Sequence, residues 1–529
     1  MITDYEGDVA TDTAGLEIIK LHWCSVLSSK GARYMTMDIG NFYLNTDLDR
    51  YEYMRINVND IPDEVIDEYG LHERGLIHDG FVFVKIRKAL FGLKQSGALA
   101  NKQLSKVLGK DGYHQSKHTP GLWLHVSRDI SFTLVVDDFG VKYTNKDDVL
   151  HLKAVIEKAY PVTTNWEGNR FIGVHLDWDY GKRELKVSMP NYVKRALLQF
   201  QHDTPGRMQY GPSKYTPPKF GSKGPQMTDI DTTEPFSKTE AKRLQQIGGK
   251  FLYYAPTIDD TMMHALNTLA TQVTSGTQRT NQAIQHFLNY CASNPEATKL
   301  YKASDMILKI HSDAAYLIEP EARSRAGGFF YLGNSNDQII NGSILVLAKV
   351  IKNVVSSASE AEVAALFMNA RLALPLRVAL EELGHQQPAT EMITDNSAAE
   401  GILNGKMKQN RSKGMDMWYY WLRDRVSQGQ FIVTWKTGAV NLADYFTKHH
   451  PASHHKALRP IYLHDENCRL TLQGCTKILS TRATEKKNES GRNKENNVAM
   501  KTTCRKVSTT TALTECVLEM KAQLHAAMA

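Results

Sequence analysis

The chain has 529 residues, 42% of them hydrophobic, so it is long enough to bury two or three cores. Its formal net charge of +7 suits a surface that binds phosphates, but ordinary soluble proteins of this length reach the same charge, so charge alone decides nothing. Six cysteines without a paired C-x-x-C spacing argue against a zinc site and a disulfide framework, and they predict reduced thiols.

The first half of the chain carries two acidic positions within strand-like sequence. Asp38 stands in MTMDIGNFYL, and Asp137 and Asp138 stand in FTLVVDDFGVKY. The second segment predicts a β-hairpin with both carboxylates at its tip, where a cation can reach them. Mg²⁺ prefers such hard oxygen ligands, and a third carboxylate from another strand would complete a two-metal site. The alternative is an ordinary acidic turn, because Asp is common in turns.

Residues 201–240 hold six of the seventeen prolines and predict a linker or an irregular loop. After this segment, apolar residues recur at three- and four-residue steps from Ser237 to about residue 293, which predicts helices without chemistry of their own.

The next stretch alternates predicted strands and helices. Three strands are expected in residues 309–318, 325–333 and 342–350, followed by a long helix over residues 357–384 with a kink at Pro375. A strand that leads into a helix, a further helix near residue 420 and a strand near residue 433 follow, and NLADYFTK closes the series. Four of these elements carry one acid each, namely Asp313 inside the first strand, Glu362 in the first turns of the long helix, Asp395 at a strand end and Asp444 on the last helix.

The first group of motifs resembles the reverse transcriptase of copia-type retrotransposons. The matching segments are Asp38 with the following NFYL, LFGLKQS, VVDDF and FIGV, in the family's order and spacing. The resemblance implies that Asp38, Asp137 and Asp138 hold two Mg²⁺ ions, or Mn²⁺, and that Tyr43 lies under the incoming sugar, where its ring favours deoxynucleotides. It also implies that Gln95 lines the nucleotide pocket. From the residues alone, Tyr43 can instead be a core residue and Gln95 a solvated helix residue.

The second group resembles the ribonuclease H that is fused behind copia-type polymerases. The matching motifs are SDAAY, SEAEVAAL, TDNSAA and NLADYFTK. The resemblance implies that Asp313, Glu362, Asp395 and Asp444 hold two further Mg²⁺ ions that activate water to cut the RNA strand of a hybrid. Taken singly, each acid can also be a helix cap or a surface charge.

These motifs together predict a multidomain fold of the α+β and α/β classes. We expect a reverse-transcriptase palm with truncated fingers over residues 1–200 and a linker with a helical thumb or connection region over 201–303. A ribonuclease H-like α/β domain is expected over 304–463, and a basic tail without a packed core over 464–529.

The expected partners are an RNA template, a DNA primer, an RNA:DNA hybrid and deoxynucleoside triphosphates, together with other products of the same polyprotein. The apolar runs are too short to span a bilayer and the N-terminal residues are unlike a secretory leader. The expected location is therefore the cytoplasm, within a virus-like particle, or the nucleus.

Only 37 residues precede Asp38, and Lys20, Lys30 and Arg33 do not form the family's triphosphate-binding motif. Three functions therefore remain open: a reverse transcriptase with attached ribonuclease H, a remnant that keeps only ribonuclease H activity, and a catalytically silent protein that binds nucleic acid.

Overall fold

A computed structural model describes residues 5–7, 9–215, 231–335, 340–407 and 416–465. Met1–Thr476 form one compact unit, and Lys477–Ala529 form a second unit that lies outside the described residues. The predicted basic tail beyond residue 465 and the Pro217-Pro218 part of the predicted linker also lie outside them. The predicted domain boundaries stay predictions.

The first half of the chain is built mainly from short antiparallel strands. In chain order its elements are α1 (Leu16–Ser28), β1 (Arg33–Ile39), β2 (Asp47–Asn57), α2 (Asp63–Glu68), β3 (Ile77–His78), β4 (Phe81–Lys88), α3 (Ser96–Lys110), β5 (Tyr113–Gln115), β6 (Leu122–His125), β7 (Ile130–Val135), β8 (Asp138–Tyr143), α4 (Lys146–Glu157), β9 (Val162–Asn165), β10 (Arg170–Phe171), β11 (Val174–Asp179), β12 (Glu184–Ser188) and α5 (Tyr192–Gln199).

The second half begins with helices and continues with a mixed sheet. Its elements are α6 (Lys238–Thr257), α7 (Met263–Thr271), α8 (Gln278–Ser293), β13 (Thr298–Lys302), β14 (Ile307–Glu319), β15 (Arg323–Gly333), β16 (Ser343–Ile351), α9 (Ala358–Glu382), β17 (Thr390–Thr394), α10 (Ser397–Leu403), α11 (Asp416–Ser427), β18 (Phe431–Trp435) and α12 (Ala452–Tyr462).

A six-stranded antiparallel sheet with the order β5-β6-β7-β8-β1-β9 forms the centre of the first half. Its strands are rich in the β-branched and aromatic residues that fit a pleated, buried surface. Side chains from β1, β7 and β8 pack with α3 and α4 in one core, which includes Met35, Phe132 and Leu152. The predicted hairpin of β7 and β8 is confirmed, and its turn places Val136 at a φ of 60°.

A small three-stranded sheet with the order β2-β4-β3 is inserted between β1 and α3. It packs one face on a core of its own, formed by Ile66, Leu71 and Val82. The chain segments that enter and leave this sheet carry two predicted site residues, Tyr43 before β2 and Gln95 after β4.

The predicted helices after residue 237 are confirmed as α6, α7 and α8. Ser237 and Glu240 form a reciprocal capping box at the start of α6. Within the predicted linker and helical connection region of residues 201–303, β13 also pairs with β12 and completes a four-stranded sheet of order β10-β11-β12-β13.

A five-stranded mixed sheet with the order β16-β15-β14-β17-β18 follows. Strands β14, β15 and β16 pair antiparallel, whereas β17 is parallel to β14 and β18 is parallel to β17. Helix α9 packs across this sheet; Ser357 caps its start, and Pro375 lies inside the helix without ending it. Of the helices that the structure describes, α9 alone has the length and composition to cross a membrane, but most of its apolar window is buried in the protein, as in a core helix.

Helix α1 lies between the two halves and is buried along most of its length. On one side, His22 Nε2 lies 3.0 Å from Ser131 Oγ of β7. On the other side, Lys20 Nζ donates to the carbonyl oxygens of Pro256 at 2.7 Å and Ile344 at 3.0 Å. One continuous hydrophobic core therefore runs from α1 into the five-stranded sheet and α9.

Candidate active sites

The three acids predicted in the first half meet at one end of the central sheet. Strands β1 and β8 pair antiparallel so that Asp38 lies directly opposite Asp138. Asp137 occupies the turn before β8, and its carbonyl oxygen accepts a hydrogen bond of 3.2 Å from the backbone of Ile39. The structure therefore brings all three carboxylates to the tip of the β7–β8 hairpin, as the sequence predicted.

The backbone behind Asp138 is closely packed. A Cβ atom on Gly140 would lie 2.1 Å from the hydroxyl of Tyr34, and that hydroxyl accepts a hydrogen bond of 3.1 Å from Trp23 Nε1. A side chain at position 140 would push β8 away from β1. Gly140 thus allows the close approach that holds Asp138 beside Asp38.

The proximity of these acids changes their protonation. Burial, followed by the charges of Asp137 and Asp38, raises the pKa of Asp138 to about 6. Burial is also the largest cause that raises the pKa of Asp137, and the charge of Asp38 adds to it. A cluster of neighbouring carboxylates such as this one resists full ionisation unless a cation balances its negative charge.

Tyr43 and Gln95 lie near this group but in different environments. Tyr43 is half-buried beside Phe91, with ring centroids 4.7 Å apart, and the charge of Asp137 contributes to its raised pKa after burial. Gln95 is only 3% exposed, and its Nε2 donates to Glu52 Oε1 of β2 at 3.1 Å. The alternative that Gln95 is a solvated helix residue is therefore wrong, because this contact holds its side chain inside the protein.

The acids predicted in the second half come from β14, α9 and the end of β17. Carboxylate oxygens of Asp313, Glu362 and Asp395 all lie within 4.8 Å of one another. Asp313 stands in the central strand of the sheet, Glu362 in the first turns of α9, and Asp395 directly after β17. The absence of a side chain at Gly438 leaves room for the Asp395 carboxylate, because a Cβ atom on Gly438 would lie 2.5 Å from Asp395 Oδ2.

Hydrogen bonds fix two of these carboxylates. Thr447 Oγ1 donates to Asp313 Oδ2 at 2.7 Å. Glu362 accepts from the backbone N–H of Ala314 and from Thr394 Oγ1, both at 3.2 Å. These partners orient the acids toward a common point.

Asp444 differs from its prediction in two respects. It lies on a short 3₁₀-helix, Leu442–Phe446, and not on the last helix, because Pro451 begins the separate helix α12. Its Oδ1 pairs with Lys448 Nζ, and one of its oxygens lies within 4.8 Å of nitrogens of His450 and His454. Asp444 is therefore close enough for its charge to act on Asp313 and Asp395, but it is paired with Lys448.

Burial raises the pKa of Asp313 to about 7, and the negative charge of Asp444 is the next cause. Burial and then the charge of Asp313 raise the pKa of Glu362 well above its usual range. Burial also raises the pKa of Asp395, with Asp444 again second. Burial is the largest single influence on the pKa of Asp444 and raises it, but the charge and hydrogen bond of Lys448, together with His450 and His454, outweigh burial and lower the pKa.

The donor sets of both sites fit a divalent metal. Each consists of carboxylate oxygens, which hard cations prefer, and in each the negative charge of neighbouring acids raises the pKa of at least one carboxyl group, as for Asp138 and Asp313, so that a bound cation would relieve the repulsion.

The sequence did not reveal the residues that hold the acids in place. Thr394 and Thr447 stand inside the motifs TDNSAA and NLADYFTK, but the motifs do not indicate that their hydroxyl groups donate to Glu362 and Asp313. Lys448 had one available signal, its position four residues after Asp444, a spacing at which opposite charges meet on a helical turn.

Comparison with known proteins shows which proteins the chain resembles. Residues 2–209 match the family model of the reverse transcriptase (RNA-dependent DNA polymerase). The retrovirus-related Pol polyprotein of transposon TNT 1-94 from Nicotiana tabacum is 21% identical, over 80% of this chain and 30% of its own length. That of transposon RE1 from Arabidopsis thaliana is 26% identical, over 69% of this chain and 24% of its own length. The chain therefore spans only 24% to 30% of the length of these relatives.

Among solved structures, a foamy viral protease-reverse transcriptase in complex with an RNA/DNA hybrid is 10% identical, with a TM-score of 0.42, over 81% of this chain and 46% of that chain. The predicted combination of α+β and α/β folds is confirmed by the antiparallel central sheet of the first half and the mixed five-stranded sheet of the second. The chain is thus similar to the reverse transcriptase family over residues 2–209 and, over most of its length, to retrovirus-related Pol polyproteins of transposons.

Proposed function

We propose that the chain is an RNA-directed DNA polymerase with an attached ribonuclease H. It extends a DNA primer on an RNA template and cuts the RNA strand of the resulting hybrid. The observation that carries this proposal is the convergence of two separate carboxylate groups, one at the tip of the β7–β8 hairpin and one between β14, α9 and β17. Each group has the composition of a two-metal phosphoryl-transfer site.

In the polymerase site, Asp38, Asp137 and Asp138 would hold two Mg²⁺ or Mn²⁺ ions, which would stabilise the charge on the phosphate and lower the pKa of the primer hydroxyl. The pKa of Asp138 near 6 lets this residue lose its proton at neutral pH. Tyr43 would lie against the sugar of the incoming nucleotide and disfavour a 2′-hydroxyl. Gln95 would support that pocket through its hydrogen bond to Glu52.

In the nuclease site, Asp313, Glu362, Asp395 and Asp444 would hold two further ions, which would lower the pKa of the attacking water. Thr447 and Thr394 keep the Asp313 and Glu362 carboxylates oriented. Lys448 keeps Asp444 ionised, and its ammonium group would have to leave Asp444 when a cation binds there.

The test is extension of a labelled DNA primer on an RNA template with added Mg²⁺, with RNA cleavage followed in the same reaction. Asp137→Asn should abolish extension and leave cleavage, whereas Glu362→Gln should do the reverse. Asp177→Asn and Glu360→Gln are the matched controls, because Asp177 is an exposed acid on β11 and Glu360 precedes Glu362 by two residues. Extension that persists in Asp137→Asn would contradict the assignment.

A nuclease without polymerase activity is the second candidate, and the positions of two cations before Asp38 favour it. Lys20 is buried and donates to two backbone carbonyls, and the Arg33 guanidinium lies 4.3 Å from the ring centre of Tyr180. Neither side chain is directed at a triphosphate in this arrangement. Cleavage that Glu362→Gln removes, without any extension, would select this candidate; absence of both products at every Mg²⁺ concentration would leave a silent nucleic-acid binder.

The proposed partners are an RNA template, a DNA primer, the RNA:DNA hybrid, deoxynucleoside triphosphates and other products of the same polyprotein. The proposed location is the cytoplasm, within a virus-like particle, or the nucleus, without membrane association.

A further inference from the structure

One face of the β2–β3–β4 sheet is unusually rich in exposed aromatic and cationic side chains. Antiparallel pairing sets Tyr53 opposite Lys85 and Arg55 opposite Phe83. Residues two apart in a strand point to the same face, so this register gathers six side chains on one surface. We call it the β2–β4 face, and it consists of Tyr51, Tyr53, Arg55, Phe81, Phe83 and Lys85.

The opposite face of the same sheet explains why these residues are not part of a core. Val82 and Val84 lie on that side and pack with Ile66 and Leu71. The small core is therefore complete without the β2–β4 face. Tyr53 remains 71% exposed, Phe83 61% and Tyr51 53%.

Cations accompany the rings on the β2–β4 face. The guanidinium of Arg55 lies 4.0 Å from the ring centre of Phe81, and Lys85 Nζ lies 3.7 Å from that of Tyr51. Arg87, two residues after Lys85, is also exposed. No acidic residue stands among the six. Glu52 points to the other side, where it accepts hydrogen bonds from Arg50 and Gln95.

Exposed aromatic rings accompanied by cations fit a single-stranded nucleic acid better than a partner protein. Bases of a single strand stack on aromatic rings, and its phosphates attract neighbouring cations; proteins that bind single-stranded nucleic acid use both interactions. A protein partner would need acidic groups to match three cations within a small apolar area. Charge complementarity therefore selects a polyanion with exposed flat rings.

The sheet is also tied directly to the candidate polymerase site. Strand β2 begins just after the 3₁₀-helix that contains Tyr43, and the backbone N–H of Ala89, at the end of β4, donates to Thr46 at 2.9 Å. The Gln95–Glu52 hydrogen bond joins β2 to the start of α3. A strand that lies on the sheet can therefore continue toward Asp38, Asp137 and Asp138.

We propose that the β2–β4 face binds single-stranded RNA, with bases stacked on Tyr53 and Phe83 and phosphates held by Arg55 and Lys85. The identification of this RNA as the unpaired part of the template rests on the proposed function. The binding of single-stranded RNA to the β2–β4 face does not depend on it.

The experiment measures binding of a fluorescently labelled 15-nucleotide uridine RNA to the full chain by anisotropy, with EDTA present so that no cleavage occurs. Tyr53→Ala and Phe83→Ala should each weaken binding about five- to hundredfold, the range for loss of one stacked base. Tyr53→Phe keeps the ring and should retain the affinity. Lys85→Gln should weaken binding and reduce its dependence on salt.

Tyr420→Ala is the matched control, because Tyr420 is a 62% exposed tyrosine on α11, remote in sequence from the sheet. Thermal unfolding of each variant checks that the fold is intact. Unchanged RNA affinity in both Tyr53→Ala and Phe83→Ala would overturn the proposal. So would a changed oligomeric state in sedimentation with unchanged RNA binding, which would make the face a contact between two copies.

Primer extension on the same samples separates this proposal from the proposed function. Loss of RNA binding in Tyr53→Ala, in a chain that does not extend primers, would support the β2–β4 face and refute the polymerase. Extension that depends on Asp137, together with unaltered RNA binding in Tyr53→Ala and Phe83→Ala, would support the polymerase and refute RNA binding by the β2–β4 face.

Discussion

At the scale of single residues, Asp313 and Glu362 are held by neighbours that carry no charge of their own. Thr447 is the clearest case, because its buried hydroxyl donates to Asp313 at 2.7 Å. Partners of this type typically contribute ten- to hundredfold to metal affinity or activity.

We expect Thr447→Val to reduce hybrid cleavage about ten- to hundredfold, because the Asp313 carboxylate loses its orienting donor. Primer extension should be unaffected. Thr447→Ser, which keeps the hydroxyl, should restore cleavage. The two activities are measured on one labelled primer–template; equal loss of both in Thr447→Val would point to general damage to the fold instead.

His22 gives a prediction on pH. Burial, with a smaller effect of the Lys142 charge, lowers the pKa of His22 to about 3, whereas an unfolded histidine titrates near 6.5. Between these values only the unfolded chain takes up the proton. The stabilisation is therefore complete above about pH 6.5 and is lost progressively as the pH falls toward 3.

The slope expected from this single group is about 1.4 kcal/mol per pH unit in that window. Thermal and urea unfolding between pH 4 and 7 should show a weaker pH dependence for His22→Gln than for the unmodified chain. Parallel curves would show that His22 does not contribute, since every other titrating group is common to both proteins.

At the scale of elements, the β7–β8 hairpin depends on close packing behind it. We expect Gly140→Ala to destabilise the protein by about 1–3 kcal/mol, because the new methyl group would overlap the Tyr34 hydroxyl. It should also reduce primer extension by displacing Asp138 from Asp38. Circular dichroism melts and extension assays test both effects.

Removal of the clashing hydroxyl provides the control for this prediction. Gly140→Ala combined with Tyr34→Phe should recover part of the lost stability, although Trp23 then loses its hydrogen-bond acceptor. If adding Tyr34→Phe restored none of the stability lost in Gly140→Ala, overlap with the Tyr34 hydroxyl would not be the cause of the loss.

Elements with a strong local pattern were predictable from the sequence. The hairpin alternates apolar residues and ends at Asp137, and α9 combines a serine cap with a long apolar run, so both appear in the structure where the motifs placed them. The short helix that carries Asp444 was not predicted correctly, because the break before α12 depends on Pro451 and on the packing of Tyr445 and Phe446.

Burial of α1 was not predictable by the same reasoning. Lys20, His22 and Ser25 are polar residues within an otherwise largely apolar helix, yet each is buried and hydrogen-bonded to a segment far along the chain. Such contacts are decided by tertiary packing, which local periodicity does not report.

At the scale of the whole molecule, α1, the four-stranded sheet β10-β11-β12-β13 and the five-stranded sheet share one core. We therefore expect residues 1–303, separated at the predicted boundary, not to fold as a stable unit. Loss of the second half would expose the side of α1 that packs on Ile344 and leave Lys20 without one of its two acceptors.

Size-exclusion chromatography and thermal unfolding of that fragment, beside the full chain, provide the measurement. A monomeric fragment with a sharp transition near that of the full chain would contradict the prediction and would support the boundary at residue 303. Aggregation or a broad, early transition is the expected result.

The contacts of Ser25 have a further consequence. Its hydroxyl accepts from Lys142 at 2.8 Å, on the strand that carries Asp138, and lies 2.8 Å from His385, just beyond the helix that carries Glu362. Helix α1 thus fixes the distance between the two carboxylate sites. If both are active, the cuts in the RNA should fall at a constant number of nucleotides behind the growing DNA end, whatever the template sequence.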